Sequence, residues 1–398
     1  MAELVMPNSA LFAIGLQQGA GATEQAKLIA GYEQLVAEAN MHYFSLTNLG
    51  FAPVKNVENL PPEIGGRALP SGAYTAGVWC EGSISMIPRL DDQFGWLLYA
   101  ATGQVSTISD MRAEDLAICG GDGVTTTSGI HSHVFTLPVD NQYFLPWMTL
   151  QRLLPHATAG ERVGEIFQDG HTRTLTITGA AAQPLSVDVD MVARLNQSDY
   201  VFNIDPETGL SWSPSYDDFD TFGVTSCEGH VKVNDVTYMA RTAGITFTDQ
   251  VLAPAQSLIV GSIHPQDFPN LGRQVQVVFT FLVENYDLYL STLTGATVDA
   301  SASPGENAAC TVYLQDLDVM LASQVAIGAA GDATEEYKLR LVSGYGLDNV
   351  SWQARPLVIS PGRPVEIQVT GNIQSTTVAQ GSPFFLILQN AVANYDLP

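Results

Sequence analysis

The feature that most constrains the fold is a pattern that the chain uses twice. Residues 77–103, GVWCEGSISMIPRLDDQFGWLLYAATG, predict a strand, an acidic helix N-cap, a short apolar helix and a closing glycine, Gly103. Residues 272–295, GRQVQVVFTFLVENYDLYLSTLTG, follow the same order and close on Gly295, 192 positions later. Glycine suits both closing positions because it adopts the left-handed conformation at little cost.

A second pair of segments keeps this spacing. Residues 165–179, EIFQDGHTRTLTITG, fall on residues 357–371, LVISPGRPVEIQVTG, without a gap, so that Gly179 coincides with Gly371. Two separate elements with one offset indicate an internal duplication, and self-similarity of this kind determines the architecture.

The remaining patterns are those of short strands. In residues 185–193, LSVDVDMVA, the apolar side chains of Val187, Val189 and Met191 alternate with Asp188 and Asp190, which predicts a strand with one buried and one wet face. The chain is therefore expected to be mainly β, with two tandem duplicated sandwich or barrel domains and a short flanking helix in each.

The expected organisation has four parts. Residues 1–43 form an N-terminal arm, with a short strand over 12–16 and a helix over 23–40. Residues 44–200 form the first domain, 201–230 a linker rich in acidic residues, and 231–398 the second domain. Within the first domain, the Pro- and Gly-rich residues 44–76 are expected to be loop with short extended pieces, and residues 104–130 are expected to be a long loop.

The charge excludes one class of partner. The chain has 16 Lys and Arg against 41 Asp and Glu, a net charge of −25. Tight binding of a nucleic-acid backbone needs clustered cations, so this chain is expected to repel DNA rather than hold it. Only 14% of the residues are charged, which is low for a soluble domain and fits a surface partly covered by other subunits.

The cysteines and the hydropathy of the sequence indicate the redox compartment and whether the chain contacts a membrane. The four cysteines, Cys80, Cys119, Cys227 and Cys310, contain no CxxC pair and are too sparse for a disulfide scaffold. The first residues, MAELVMPNSALFAIGL, lack the basic start of a secretory signal, and no run of 18 apolar residues predicts a membrane span. We expect free thiols in a reducing compartment and no membrane partner.

Catalytic motifs are missing from the sequence. It contains no GxSxG, no GxxxxGK[ST] and no HExxH. His131 and His133 with Cys119 have the donor types that zinc prefers, but an exposed strand start explains them better. Asp217, Asp218 and Asp220 in SYDDFD offer oxygen ligands for Ca²⁺ without the spacing of an EF-hand. We expect no metal site, no cofactor and no enzymatic activity.

Two further groups are candidates for carbohydrate chemistry. The carboxylate pairs Asp188/Asp190 and Asp316/Asp318 resemble glycosidase pairs, although alternating aspartates on a strand usually mark its wet face. The aromatic residues of the two predicted helices offer a ligand platform, but packing against a sheet is the favoured interpretation. These are Phe94, Trp96 and Tyr99 in the first helix, and Tyr286 and Tyr289 in the second.

Over residues 60–300 the chain resembles the tail tube, or major tail, proteins of long-tailed bacteriophages. The likeness is carried by the order of PPEIGGRALPSGAYTAGVWCEGSISMIPRLDDQFGWLLYAATG, HSHVFTLPVDNQYFLPWMTLQRLL, GEIFQDGHTRTLTITGAAAQPLSVDVDMVA, VKVNDVTYMARTAGITFTDQVLAP and GRQVQVVFTFLVENYDLYLSTLTG. The predicted N-terminal helix and the loop at 104–130 depart from the pattern.

The resemblance implies a structural virion protein that assembles into stacked rings with a hollow lumen and needs no cofactor. Its implied partners are copies of itself, the tape-measure protein, the tail terminator and the distal tail proteins, with assembly in the host cytoplasm. DNA is implied only in passage, and the acidic composition would prevent DNA from adhering to the lumen.

Tube rings in this family commonly present six tube domains, so two domains in each chain predict a trimeric ring with pseudo-sixfold symmetry. Edge strands of a β-sandwich supply a means of joining neighbours. The arm or the loop at 104–130 is a candidate bridge between rings. Two other classes stay open: a carbohydrate-binding or hydrolytic β-sandwich, and a capsid decoration or receptor-binding protein of the virion surface.

Overall fold

The structure is a computed structural model of the whole chain. It describes residues 10–37, 40–61, 72–90, 92–109, 131–137, 144–155, 162–181, 183–196, 228–283, 286–294, 312, 314–326, 336–343, 348–355, 357, 362, 364–375, 382–395 and 397.

The described residues form twenty strands and three short α-helices. The strands are β1 (Leu11–Leu16), β2 (His42–Phe44), β3 (Asn48–Leu49), β4 (Ala52–Asn59), β5 (Ala73–Met86), β6 (Gln104–Ser109), β7 (His131–Thr136), β8 (Met148–Pro155), β9 (Arg162–Ala180), β10 (Ser186–Asn196), β11 (Glu228–Val233), β12 (Val236–Tyr238), β13 (Ala240–Val251), β14 (Asn270–Leu282), β15 (Leu314–Gln315), β16 (Asp318–Ala326), β17 (Glu336–Ser343), β18 (Val350–Ala354), β19 (Glu366–Ile373) and β20 (Phe384–Asn390). The helices are α1 (Glu24–Ile29), α2 (Asp92–Thr102) and α3 (Asp287–Thr294). The mainly β prediction is confirmed.

The strands form two antiparallel sheets that pack on each other. The large sheet has 13 strands and runs β15-β18-β19-β14-β13-β9-β10-β5-β3, with β1, β2, β4 and β8 attached beside this path. The small sheet has 7 strands in the order β12-β11-β16-β17-β20-β7-β6. Phe247 of the large sheet and Phe384 of the small sheet are both fully buried, with ring centroids 5.5 Å apart, so the main core lies between the layers.

The large sheet contains the same four-strand arrangement twice. In the first unit a hairpin of β3–β4 with β5 leads into α2, and the later hairpin β9–β10 returns so that β10 lies beside β5. In the second unit the hairpin β13–β14 leads into α3, and the hairpin β18–β19 returns so that β19 lies beside β14. The first unit therefore reads β4-β5-β10-β9, and the second reads β13-β14-β19-β18.

The two units join edge to edge within the chain. Residues 174–180 of β9 pair antiparallel with residues 242–248 of β13, so one sheet continues through both units. A second junction in the small sheet pairs β7 with β20. The chain thus bonds two similar units through continuous backbone hydrogen bonding rather than through side chains alone.

The predicted offset of 192 residues needs correction. It equates Ile84, which is fully buried, with Gln276, which lies on the opposite face of its strand. Side chains alternate between faces along a strand, so a true equivalence needs an odd offset. An offset of 193 equates Ile84 with Val277 and Met86 with Phe279, so that buried residues coincide with buried residues. The predicted match of residues 165–179 with 357–371 is also wrong, because β10, not β9, holds the place of β19.

Helix α2 follows the prediction closely. It ends at Thr102, and Gly103 has φ of 89°, the left-handed conformation expected after a helix. Its inner side packs against the C-terminal segment, where a Cβ on Gly95 would lie 2.0 Å from the ring of Tyr395. Helix α3 is likewise where the repeat predicts it, while Gly295 lies outside the described residues.

The N-terminal segment is more closely integrated than the expected arm over residues 1–43. The predicted strand is confirmed as β1, but it pairs with β2 and β8 and buries Phe12 and Ile14 completely. The predicted helix over 23–40 is wrong in length, since α1 covers only Glu24–Ile29. Gly31 soon follows α1, and a Cβ there would lie 2.3 Å from the carbonyl oxygen of Gln17, so the chain turns tightly against β1.

An ionic cluster with a buried centre, Arg194 and Asp169, and an exposed member, Glu33, holds this segment on the large sheet. The Arg194 guanidinium lies 2.7 Å from Asp169 and 3.0 Å from Glu33, and it stacks over the ring of Tyr32 at 4.9 Å. Asp169 also accepts a hydrogen bond of 2.8 Å from the backbone N–H of Glu33. Residues 32 and 33 are therefore tied to β9 and β10.

The region expected to be loop with short extended pieces contains a strand of eight residues, and the expected loop over 104–130 begins with a strand. Residues 52–59 form β4, in which Pro53 occupies an exposed position, as prolines in strands usually do at sheet edges. Residues 104–109 form β6, paired with β7. The rest of the expected loop, 110–130, lies outside the described residues, as does most of the expected linker over 201–230.

Candidate assembly surfaces

The large sheet has two open edges at opposite ends. One edge is β3–β4, two pieces of a single strand that pair with β5 in one register as far as Asn56, after which the register shifts. The exposed Pro53 and Lys55 on this edge are residue types that natural sheets place where unwanted pairing must be discouraged. Beyond β5, no partner strand for β3 or β4 exists among the residues that the structure describes.

The other edge is β18. The two-residue strand β15 covers only Val350 and Ser351, so residues from Trp352 to Ala354 have a strand on one side alone within the described chain. In the first unit, β8 covers the N-terminal half of β9 and leaves its C-terminal half to pair with β13. Both outer strands are therefore covered toward their N-terminal end, and the rest of β18 is open within the described chain.

The two faces of the large sheet differ in chemistry. The face toward the small sheet is apolar and carries residues such as Ile177, Ile245 and Phe279. The opposite face carries mostly hydroxyl and amide side chains. Its central members are Thr174, Thr176, Thr246, Thr248, Gln274, Gln276, Thr370 and Asn372. The amides interlock, since the side chains of Gln274 and Gln276 both donate to Asn372, at 2.9 and 3.0 Å.

The predicted carboxylate pair Asp188/Asp190 lies at one end of this polar face, as the alternation predicts. Asp188 accepts a hydrogen bond of 2.5 Å from the Ser85 hydroxyl. The Arg173 guanidinium bridges Asp190, at 2.9 Å, and Glu81, at 3.2 Å. Each carboxylate is engaged with a neighbour on the sheet, an arrangement that stabilises the face and differs from a general acid paired with a free base.

The second predicted pair is divided between two roles. Asp316 accepts a hydrogen bond from the backbone N–H of Asn234 at 2.5 Å. Asp318 lies between Arg340, at 2.7 Å, and His230, at 2.9 Å. Burial alone would raise the pKa of Asp318, but the hydrogen bonds from His230 and Arg340 lower it well below its usual range. The two carboxylates are less exposed than the solvent-facing strand positions that the sequence predicts. The bonds of Asp318 link β11, β16 and β17.

The histidine pair is structural. His131 and His133 lie on β7 with their rings 6.5 Å apart, but His133 is fully buried. One ring nitrogen of His133 lies 2.9 Å from Asn390 and the other lies 2.9 Å from Thr107, so neither is directed at an open site. Burial lowers the pKa of His133 to about 4. Cys119, the third predicted ligand, lies outside the described residues.

Metal-binding geometry is missing from the part of the chain that the structure describes, where no group of three or more His, Cys, Asp or Glu side chains converges. Asp217, Asp218 and Asp220 fall outside that part. Nor does any described helix have the length and apolarity needed to cross a membrane.

The aromatic residues of α2 belong to the core, as favoured by the sequence. Phe94, Trp96 and Tyr99 are at most 8% exposed, and Trp96 stacks on His42 at 4.3 Å. The two aromatics of the second predicted helix differ, because Tyr289 on α3 packs against the core while Tyr286, just before α3, is 43% exposed.

The buried ion pair of Asp249 and Arg273 is a feature that the sequence analysis missed. The side chains are 1% and 4% exposed, and Arg273 also donates to the carbonyl oxygen of Thr102, the last residue of α2, at 3.2 Å. This bond fixes the end of the first helix to the second unit. Neither residue stands out in the sequence, because the partners are 24 positions apart on two strands.

Comparison with known proteins agrees with the architecture. A family model described as phage tail tube protein matches residues 38–354, about four fifths of the chain. No curated protein matches the chain. The match covers the first unit, the β9–β13 junction and the second unit as far as the end of β18. The chain therefore belongs to the phage tail tube protein family, a family of structural proteins of the virion tail.

Proposed function

We propose that this chain polymerises into stacked rings that form the hollow tail tube of a bacteriophage, through which DNA and the tape-measure protein pass. The carrying observation is the β9–β13 junction. It joins two units of the same strand order through a continuous sheet, and among the described residues it leaves one open edge at each end. The two units already join through an edge of each. The chain still offers the outer edge of the first unit, β3–β4, and the outer edge of the second unit, β18, so further chains can be added in the same way until a ring closes.

Three chains per ring follow from the duplication. Residues 44–200 and 231–398 would act as two tube domains joined by 201–230, so a ring of six domains needs three chains and has pseudo-sixfold symmetry. Each chain supplies eight strands from its two units, which gives 24 strands in a ring of three. With strands about 4.8 Å apart and tilted by about 40°, such a barrel would be about 45–50 Å across.

The polar face of the large sheet is the proposed channel wall. Its apolar face is already covered by the small sheet, whose Phe384 packs on Phe247. The covering layer needs the larger circumference and would lie outside, which leaves the Thr- and Gln-rich face inside. A wall of hydroxyls and amides with a few carboxylates, in which Arg173 is already paired with Asp190 and Glu81, offers phosphates no cation cluster to hold them. This wall would let DNA pass without binding it, and the acidity of the chain as a whole would add repulsion.

We infer no catalytic step for this chain. The carboxylate pairs are engaged with Ser85, Arg173, Arg340 and backbone groups, and the aromatics of α2 are buried. The tail terminator and distal tail proteins would be its partners at the tube ends, after assembly in the host cytoplasm. A carbohydrate-binding or virion-surface role has no specific observation in its favour.

Negative-stain electron microscopy of the purified, concentrated protein tests the proposal. Hollow tubes with a regular axial repeat are the expected result. Discrete globular particles in every salt condition would contradict it and would favour a surface protein.

A further inference from the structure

We propose that neighbouring chains in the ring join by antiparallel pairing of β18 of one chain with β3 of the next, with Ala354 directly opposite Leu49 of the next chain. This inference rests on the proposed ring, and it adds the strands, the direction and the register of the contact.

The junction within the chain is the template. The outer strand of the first unit, β9, pairs antiparallel with the outer strand of the second unit, β13, and Ile177 lies opposite Ile245. Both side chains point into the core and are at most 1% exposed. If chains join as the two units do, the free outer strand of the second unit, β18, meets the free outer strand of the first unit, β3–β4.

The register of the contact between chains follows from rows of residues that lie directly opposite one another on the neighbouring strands of each unit. In the first unit one such row is Leu49, Ile84, Val189 and Leu175. In the second unit the matching row is Ile245, Val277, Gly371 and Trp352. This match uses the offset of 193 that relates Ile84 to Val277, and it makes Leu49 the equivalent of Ile245.

The neighbouring row fixes the other partner. In the first unit it contains Met86, Val187 and Ile177. In the second unit it contains Phe279, Val369 and Ala354. Ala354 is therefore the equivalent of Ile177. Since Ile177 faces Ile245 within the chain, Ala354 is placed to face Leu49 between chains.

The burial of the two residues supports this pairing. Leu49 and Ala354 are both partly buried apolar side chains that pack against the main core, each at an open edge of the large sheet. A contact between them would continue the apolar layer past the chain boundary, as Ile177 and Ile245 continue it between the units. The part of β18 that has no outer partner begins at Trp352, the equivalent of Leu175 on β9. In the first unit, β13 pairs with β9 in this part of the strand.

A cysteine pair tests the contact. Opposed residues on adjacent strands bring their Cβ atoms within the reach of a disulfide. In tubes of the variant L49C/A354C, mild oxidation is expected to move most of the protein into covalent dimers and closed trimers on a non-reducing gel. The matched control is L49C/Q353C, because Gln353 is adjacent on β18 but exposed on the other face. The control and the wild type are expected to stay monomeric on that gel.

The possible results distinguish a wrong β18–β3 contact from a wrong proposal of ring assembly. Wild-type protein that forms no tubes would contradict the proposed function. Tubes of L49C/A354C that stay monomeric after oxidation, or equal cross-linking of the control, would overturn the contact alone. If the double variant fails to assemble, a density map of wild-type tubes decides, since a strand other than β18 beside β3 would overturn the inference.

Discussion

Ile177 on β9 and Ile245 on β13 lie directly opposite each other across the junction of the two units, and neither side chain is more than 1% exposed. This pair shows how the chain converts a sheet edge, normally a site that must be protected, into an internal bond. The same relationship, repeated between chains, is the basis of the proposed ring.

The first prediction concerns this junction. Ile245→Ala removes buried methylene and methyl groups and leaves a cavity, so the free energy of unfolding should fall by about 2–5 kcal/mol. Urea unfolding of dissociated subunits measures this change. The control Thr246→Ala, on the polar face of the same strand, should cost less than about 1 kcal/mol. Equal losses for the two variants would show that the junction is not a packed core.

The second prediction concerns the buried pair of Asp249 and Arg273. Asp249→Asn leaves the Arg273 charge buried without its partner and should destabilise the protein by about 3–5 kcal/mol. The double variant Asp249→Leu/Arg273→Met removes both charges and should recover most of this loss.

An exposed pair of the same residue classes serves as the control. Arg241 and Glu366 have side chains 52% and 39% exposed. Glu366→Gln should therefore cost no more than about 1 kcal/mol. If Asp249→Asn lowers the free energy of unfolding as little as Glu366→Gln does, the buried ion pair that joins the end of α2 to the second unit contributes nothing to stability.

The third prediction concerns acid sensitivity. Burial lowers the pKa of His133 and of His171 to about 4, below the ordinary 6.5. The unfolded chain takes up these protons first as the pH falls, so stability is full above pH 6.5 and is lost between about pH 6.5 and 4. Each histidine should contribute roughly 3 kcal/mol to this loss.

Thermal unfolding across this range measures the effect. His133→Gln should flatten the pH dependence while keeping a side chain able to bond with Asn390. An unchanged slope in this variant would show that the pKa of His133 is the same in the folded and the unfolded chain.

The fourth prediction tests which face lines the channel. Gln274 is exposed on the polar face of the large sheet, and Leu293 is 53% exposed on α3. In tubes, a cysteine at position 274 should react with a small maleimide but not with one carried on a large polymer. A cysteine at position 293 should react with both, and wild type gives the background from native cysteines. Reaction of Gln274→Cys with the large reagent in intact tubes would place this face outside.

The sequence predicts the elements of this fold better than their arrangement. The pattern of strand, helix and glycine locates α2, Gly103 and α3, because these signals are local. Alternation locates the buried face of β10 in the same way. The offset of 192 that matches the closing glycines then equates buried Ile84 with Gln276, because a shift of one residue along a strand exchanges its two faces.

Long-range pairing accounts for the other differences. Pro53 indicates a turn in the sequence, yet it lies in an edge strand whose register is set by β5. Phe12 and Ile14 belong to the sheet because β8, more than 130 positions later, pairs with them. The open edges that make up the candidate site depend on which strands find partners, and no local pattern contains that information.

The most direct test of the account is a cryo-electron microscopy reconstruction of tubes of the wild-type protein, with the ring symmetry determined without imposing it. The account predicts rings of three chains in which six similar units alternate around the axis and one sheet passes through all of them. A ring with six chains related by true sixfold symmetry, or one in which the large sheet is interrupted between chains, would contradict it.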